Sequence, residues 1–152
     1  MNAYSIYWIK EPVAKSYFHK SDLLHRFFNE YENDPERNYL IKQFTFITQK
    51  FHLYKFAMHL KQFSSPNIYV KRIGNRIQIK RDQEVLFLYV ENGGLSLRCS
   101  NLEAAVSILF PVLEDIHPYF FVQGQDNKHF GWISPMSYED KNELQQVLYS
   151  YF

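Results

Sequence analysis

The chain has 152 residues, a formal charge of +1, one cysteine and 46% hydrophobic residues, enough for one domain that buries about 70% of its unfolded surface. A charge so near zero argues against a general nucleic-acid or membrane-surface binder, whose affinity rests on a large positive field. No run approaches the ~18 apolar residues of a membrane span, and no apolar h-region follows a basic start. A lone cysteine cannot form an internal disulfide, which suits a reducing cytoplasm, so the expectation is a soluble, cytoplasmic, single domain over 1–152. Aromatic residues are abundant, with 14 Phe, 12 Tyr and 2 Trp; many line the core, and a surplus of Tyr and Phe is also what protein interfaces use.

In chain order, Tyr4, Ile6 and Trp8 alternate with Ser5, Tyr7 and Ile9, so the first segment reads as a buried strand with two apolar faces. Pro12 suits a first helical position, and the following turns carry two stripes at i,i+4 spacing, Ala14 with Phe18 and Val13 with Tyr17. One stripe packs on the strand; the other has no partner within the segment. Leu23, Leu24, Phe27, Phe28 and Tyr31 mark an amphipathic helix starting near Ser21. Asp34 and Pro35 read as N-cap and N1 of a further helix running to about Gln49. It again carries two stripes, Leu40–Phe44–Ile47 and Tyr39–Gln43–Phe46, displaced about 100° around the axis. From periodicity alone, both facing a core and only one doing so are about equally plausible.

Leu53, Phe56, Ala57 and Leu60 suit a helix over 51–63, ended by Ser64-Ser65-Pro66. A hairpin follows, with strands 68–73 and 76–81 joined by Gly74-Asn75 as a type II′ turn. A strand over 85–90 leads through Asn92-Gly93-Gly94 into another over 95–99. Ser100 and Glu103 have capping-box spacing before a helix over Ala104–Leu113 that Pro111 kinks or shortens. Two strands surround the turn at 124–127, and Glu139 to Tyr151 reads as a terminal helix. Strands grouped by hairpins, rather than alternating singly with helices, indicate an α+β domain: a largely antiparallel sheet with helices packed against it.

Catalytic and metal signatures are missing. No two of the six histidines have chelate spacing, no phosphate-binding glycine loop appears, and Cys99 shares a strand face with Leu95 and Leu97 as a buried thiol would. No cofactor or metal is expected, and the sequence does not read as an enzyme. The basic hairpin Lys71–Arg81 admits an alternative function, a DNA-contacting regulator. A solvated edge kept from sheet-to-sheet pairing by charge is the favoured reading, because no aromatic array is interleaved with its cations.

Four pieces in order carry a resemblance: Tyr7-Trp8-Ile9-Lys10-Glu11 running into Ala14 and Tyr17-Phe18, then Leu24 to Tyr31, then Phe46-Ile47-Thr48-Gln49, and finally Phe120-Phe121 through Phe130-Gly131-Trp132-Ile133 to Pro135. In order and spacing these resemble the SirA family, the sporulation inhibitors of replication. The resemblance spans roughly Tyr4 to Pro135 and is weakest between Phe51 and Ile79. It implies a non-enzymatic inhibitor that binds the N-terminal domain of the replication initiator DnaA; in keeping with the charge and hydropathy above, direct nucleic-acid or membrane contact is not expected. It also implies a binding surface on the short first helix and the later helix, matching Val13, Tyr17, Gln43 and Phe46 here. Tyr39 lies on the same stripe as the last two. Val13 stands where the family's best-known member has phenylalanine, and Phe46 where it has tyrosine, so less apolar area is offered at position 13.

Overall fold

Strand β1 (Asn2–Ile9) is the centre of the computed structural model, which describes residues 2–125 and 129–133. Both its faces are apolar, and both are covered. Tyr4 and Ile6 enter one core, Tyr7 and Ile9 a second. On one edge β1 pairs antiparallel with β7 (Phe120–Gly124), Tyr4 opposite Gly124 and Trp8 opposite Phe120. On the other edge it pairs with β6 (Gly94–Cys99) over Asn2–Ile6, then with the two-residue β2 (Thr48–Gln49) over Trp8–Ile9. The full path runs β3 (Tyr69–Ile73), β4 (Arg76–Arg81), β5 (Glu84–Glu91), β6, β1, β7 and β8 (Phe130–Trp132), each pair antiparallel. This is the α+β architecture expected from hairpin-grouped strands.

Helices α1 (Glu11–Tyr17), α2 (Ser21–Asn33) and α3 (Asn38–Ile47) cover one side of β1, β7 and β8. Helices α4 (Leu53–Phe63), α5 (Leu102–Ile108) and α6 (Phe110–Ile116) cover the opposite face, over Ile77, Ile79, Leu86, Leu88, Leu95 and Leu97. A half-buried polar network ties α2 to the sheet. The Gln123 side chain donates to Asn29 Oδ1 (3.2 Å) and Glu32 Oε2 (3.1 Å), its Oε1 lies 3.1 Å from His25 Nδ1, and the Tyr7 hydroxyl donates to Glu32 Oε1. Burial first, and then the Glu32 charge, hold the Tyr7 phenol far above its ordinary pKa, so it stays a donor.

Three local expectations need correction. Asp34 does not cap α3 and Pro35 does not open it: Arg37 N–H bonds the Asp34 carbonyl (3.3 Å), and α3 begins at Asn38. Asp followed by Pro suits positions i and i+1 of a β-turn as well as it suits a helix start, and the turn wins. At its other end α3 stops at Ile47, since Thr48 and Gln49 pair with β1. Thirdly, the cap of α5 is Asn101, whose Oδ1 accepts from Ala104 N–H at 2.8 Å, rather than Ser100. Pro111 acts as anticipated, dividing the segment at Leu109 into α5 and α6. Gly74 has φ +62° while Asn75 stays negative, as a type II′ turn requires. The terminal helix expected over 139–151 lies outside the described residues.

Candidate partner-binding groove

Helix α1 is short and gains little from its own hydrogen bonds; its inner stripe anchors it. Ala14 and Phe18 are buried, Phe18 stacks on Trp132 (5.6 Å between centroids, 25°), and the Trp132 indole N–H donates to the Phe18 carbonyl at 3.0 Å. With that stripe fixed inward, Val13 is half-buried and Tyr17 remains 39% exposed. The Glu11–Lys15 pair (3.0 Å) is solvent-exposed and adds little.

Helix α3 behaves alike. Leu40 and Phe44 are buried, with Phe44 stacked on Tyr31 (4.1 Å, 10°) and edge-on to Tyr7 and Phe28. The second stripe points out: Gln43 is exposed, Tyr39 is 50% exposed and Phe46 72%. A lone exposed aromatic is ordinary, but a phenylalanine with nearly three quarters of its surface in water has a substantial apolar area left to bury.

Lys10 sets the two helices against each other. Its backbone N–H donates to the Ile47 carbonyl (2.9 Å) and its ammonium to the Thr45 carbonyl (3.0 Å), joining the start of α1 to the end of α3. Between them lies a groove of about 530 Å³, lined by Val13 and Tyr17 from α1, Leu23, Leu24 and Phe27 from α2, and Lys42, Gln43, Phe46 and Ile47 from α3. Four of the five residues singled out from sequence therefore share one concave surface. Tyr39 is not among them; its ring packs under the Arg37 guanidinium, 5.0 Å from the centroid. The α2 contribution escaped the sequence reading, although the signal was present. Leu24, Phe28 and Tyr31 suffice for the core face, so Leu23 and Phe27 form a further i,i+4 stripe beside it.

The groove is mainly apolar, with Gln43 and Lys42 as polar features, and Lys20 lies 5.9 Å from the Tyr17 ring. Such a lining accepts an apolar ridge and one or two hydrogen bonds. Elsewhere, Cys99 is fully buried and burial pushes its thiol up to about 11, the state of an inert core cysteine. Among the described residues no three His, Cys, Asp or Glu side chains are grouped to hold a metal, and no helix is long and apolar enough to cross a membrane.

No curated protein matches the chain. The family model described as "Sporulation inhibitor of replication protein SirA" matches residues 2–137, which takes in every described strand and helix. With nine tenths of the chain covered by that model, this protein belongs to the SirA family of sporulation inhibitors of replication.

Proposed function

We propose that this protein restrains the initiation of chromosome replication during sporulation by binding the N-terminal domain of DnaA in the groove between α1, α2 and α3. The observation that carries the reading is the convergence of Val13, Tyr17, Gln43 and Phe46, from two helices separated by α2, on one apolar groove. Phe46 and Tyr17 serve as aromatic anchors, Val13 and Phe27 as apolar filler, and Gln43 as a hydrogen-bonding group. Covering a largely exposed phenylalanine ring contributes about 2 kcal/mol at ~25 cal/mol per Å². Inhibition works by occupancy: the protein covers a surface of the initiator in the cytoplasm and transforms no substrate.

Titration calorimetry of the full chain against the isolated DnaA N-terminal domain tests this. Saturable binding, weakened by Tyr17→Ala and Phe46→Ala in folded variants, is expected. Absence of binding at concentrations where a standard-size interface saturates would refute the partner. Unaltered binding by both variants would refute the surface.

A further inference from the structure

The sheet has a second functional-looking face. Ile77, Ile79, Leu86, Leu88, Leu95, Leu97 and Cys99 all point into the core beneath α4–α6, so strand alternation turns their neighbours to the opposite side. On that side the second core, built by α1–α3 with β1, β7 and β8, takes no described residue from β3–β6, although Tyr31 of α2 reaches their β5–β6 turn and donates to the Asn92 carbonyl at 2.9 Å. Pairing sets the side chains of this face in rows across the strands, Tyr69–Lys80–Val85, then Lys71–Gln78–Phe87–Arg98, then Ile73–Arg76–Tyr89–Ser96, with the four cations exposed, Phe87 and Tyr89 half-buried and Ser96 buried. Phe87 and Tyr89 lie about 7 Å apart along β5. The Arg76 guanidinium sits 5.6 Å from the Phe87 centroid and that of Arg98 6.0 Å from Tyr89, so two rings and two guanidiniums alternate. A depression of about 340 Å³ opens here, lined by Ile73, Asn75, Arg76, Gln78 and Phe87.

Protection of a sheet edge by charge explains Lys71 on the outermost strand. It does not explain Arg98, which stands on β6 between β5 and β1. Among the described residues these three rows hold four cations and no carboxylate. The carboxylate of Glu91, at the end of β5, accepts from Ser96 Oγ (3.1 Å).

We propose that this face binds single-stranded nucleic acid, with bases stacking on Phe87 and Tyr89 and phosphates held by Lys71, Arg76, Lys80 and Arg98. Half-buried aromatic rings alternating with exposed cations on a sheet offer what unpaired bases and a polyanionic backbone need. A duplex hides its base faces, and an acidic protein would use the cations while leaving the rings idle. With a net charge of +1, attraction is confined to this patch, and the expected affinity is modest and salt-dependent. The face shares no residue with the groove proposed for DnaA, so either assignment can fail without the other.

The test is fluorescence anisotropy of the full chain with labelled 12-nucleotide oligothymidylate and oligouridylate, beside a duplex of equal length, at 50 and 150 mM salt. Single strands should bind more tightly than duplex, and the tighter of the two identifies DNA or RNA as the source. Phe87→Leu with Tyr89→Leu should weaken binding about tenfold or more. Arg76→Gln with Arg98→Gln should flatten the slope of log K against log salt by about 1.4. Amide shift perturbations in the unmutated protein should fall on β4, β5 and β6, a readout independent of how the variants fold. No binding at 50 mM salt, equal binding of duplex, equal displacement by polyglutamate, or shifts centred elsewhere would overturn the proposal.

Discussion

The Lys10 ammonium donates to the Thr45 carbonyl at 3.0 Å, spanning from the β1–α1 junction to the last turn of α3. With the backbone bond from Lys10 to Ile47 beside it, the two walls of the groove are held in register by a residue that does not line the groove. Lys10→Met keeps the stem and the backbone bond but frees the Thr45 carbonyl to water. The expected loss of stability is below ~1 kcal/mol, because the bond is exposed. The expected loss of affinity for the DnaA N-terminal domain is about three- to tenfold, since α1 and α3 must be ordered again on binding. Parallel urea titrations and calorimetry separate the two effects.

Exposure divides the aromatic residues of α1 and α3 into two kinds. Phe46→Ala and Tyr17→Ala should change unfolding free energy by no more than ~0.5 kcal/mol while weakening binding by more than ~1 kcal/mol each. Phe44→Ala, two residues from Phe46 but stacked on Tyr31, should cost about 3–5 kcal/mol of stability. Chemical denaturation of all three variants checks the contrast.

Gln123 is fully buried and serves Asn29, Glu32 and His25 at once. Gln123→Leu preserves volume and removes those partners, leaving the Glu32 carboxylate short of a donor. About 2–4 kcal/mol of stability should be lost, with α2 loosening first. Hydrogen exchange of the α2 amides measures the local part.

Acidification should weaken the fold through His117. Burial lowers its pKa, against a smaller opposing pull from Glu11, and its Nδ1 accepts the Tyr119 N–H at 3.2 Å, a role only the unprotonated nitrogen can fill. A depressed pKa in the folded state means the contribution is present above the ordinary histidine value of ~6.5 and is lost as pH falls below it. The denaturation midpoint should therefore drop between pH 7 and pH 5, and His117→Gln should drop less.

What could be read from the sequence followed from periodicity. The doubled stripes on α1 and α3 announced an inward and an outward face, and packing then put Ala14, Phe18, Leu40 and Phe44 inside. Asp34-Pro35 forms a turn instead of opening α3 because one dipeptide serves two local structures, and only the tertiary placement of α3 decides between them. The floor contributed by Leu23 and Phe27 is signalled by their i,i+4 stripe on α2, while which neighbour that stripe faces is set by tertiary packing. The aromatic–cation alternation on the β3–β6 face was invisible for another reason: only strand register brings the Arg76 guanidinium to Phe87 and that of Arg98 to Tyr89. A scan for aromatics within the basic hairpin looks along the chain and misses partners delivered from across the sheet.

The central position of β1 governs how the molecule assembles. Tyr4 needs Leu97 on one side and Gly124 on the other before its strand is complete. Every stage before β6 and β7 arrive leaves an apolar ribbon with open edges, and the α1–α3 aromatics have no finished surface to settle on. Closing such distant contacts is entropically expensive and slow, so folding should be gradual to start and cooperative to finish. A chain cut before β7 lacks a flank of its central strand and exposes a sticky edge where the intact protein has none.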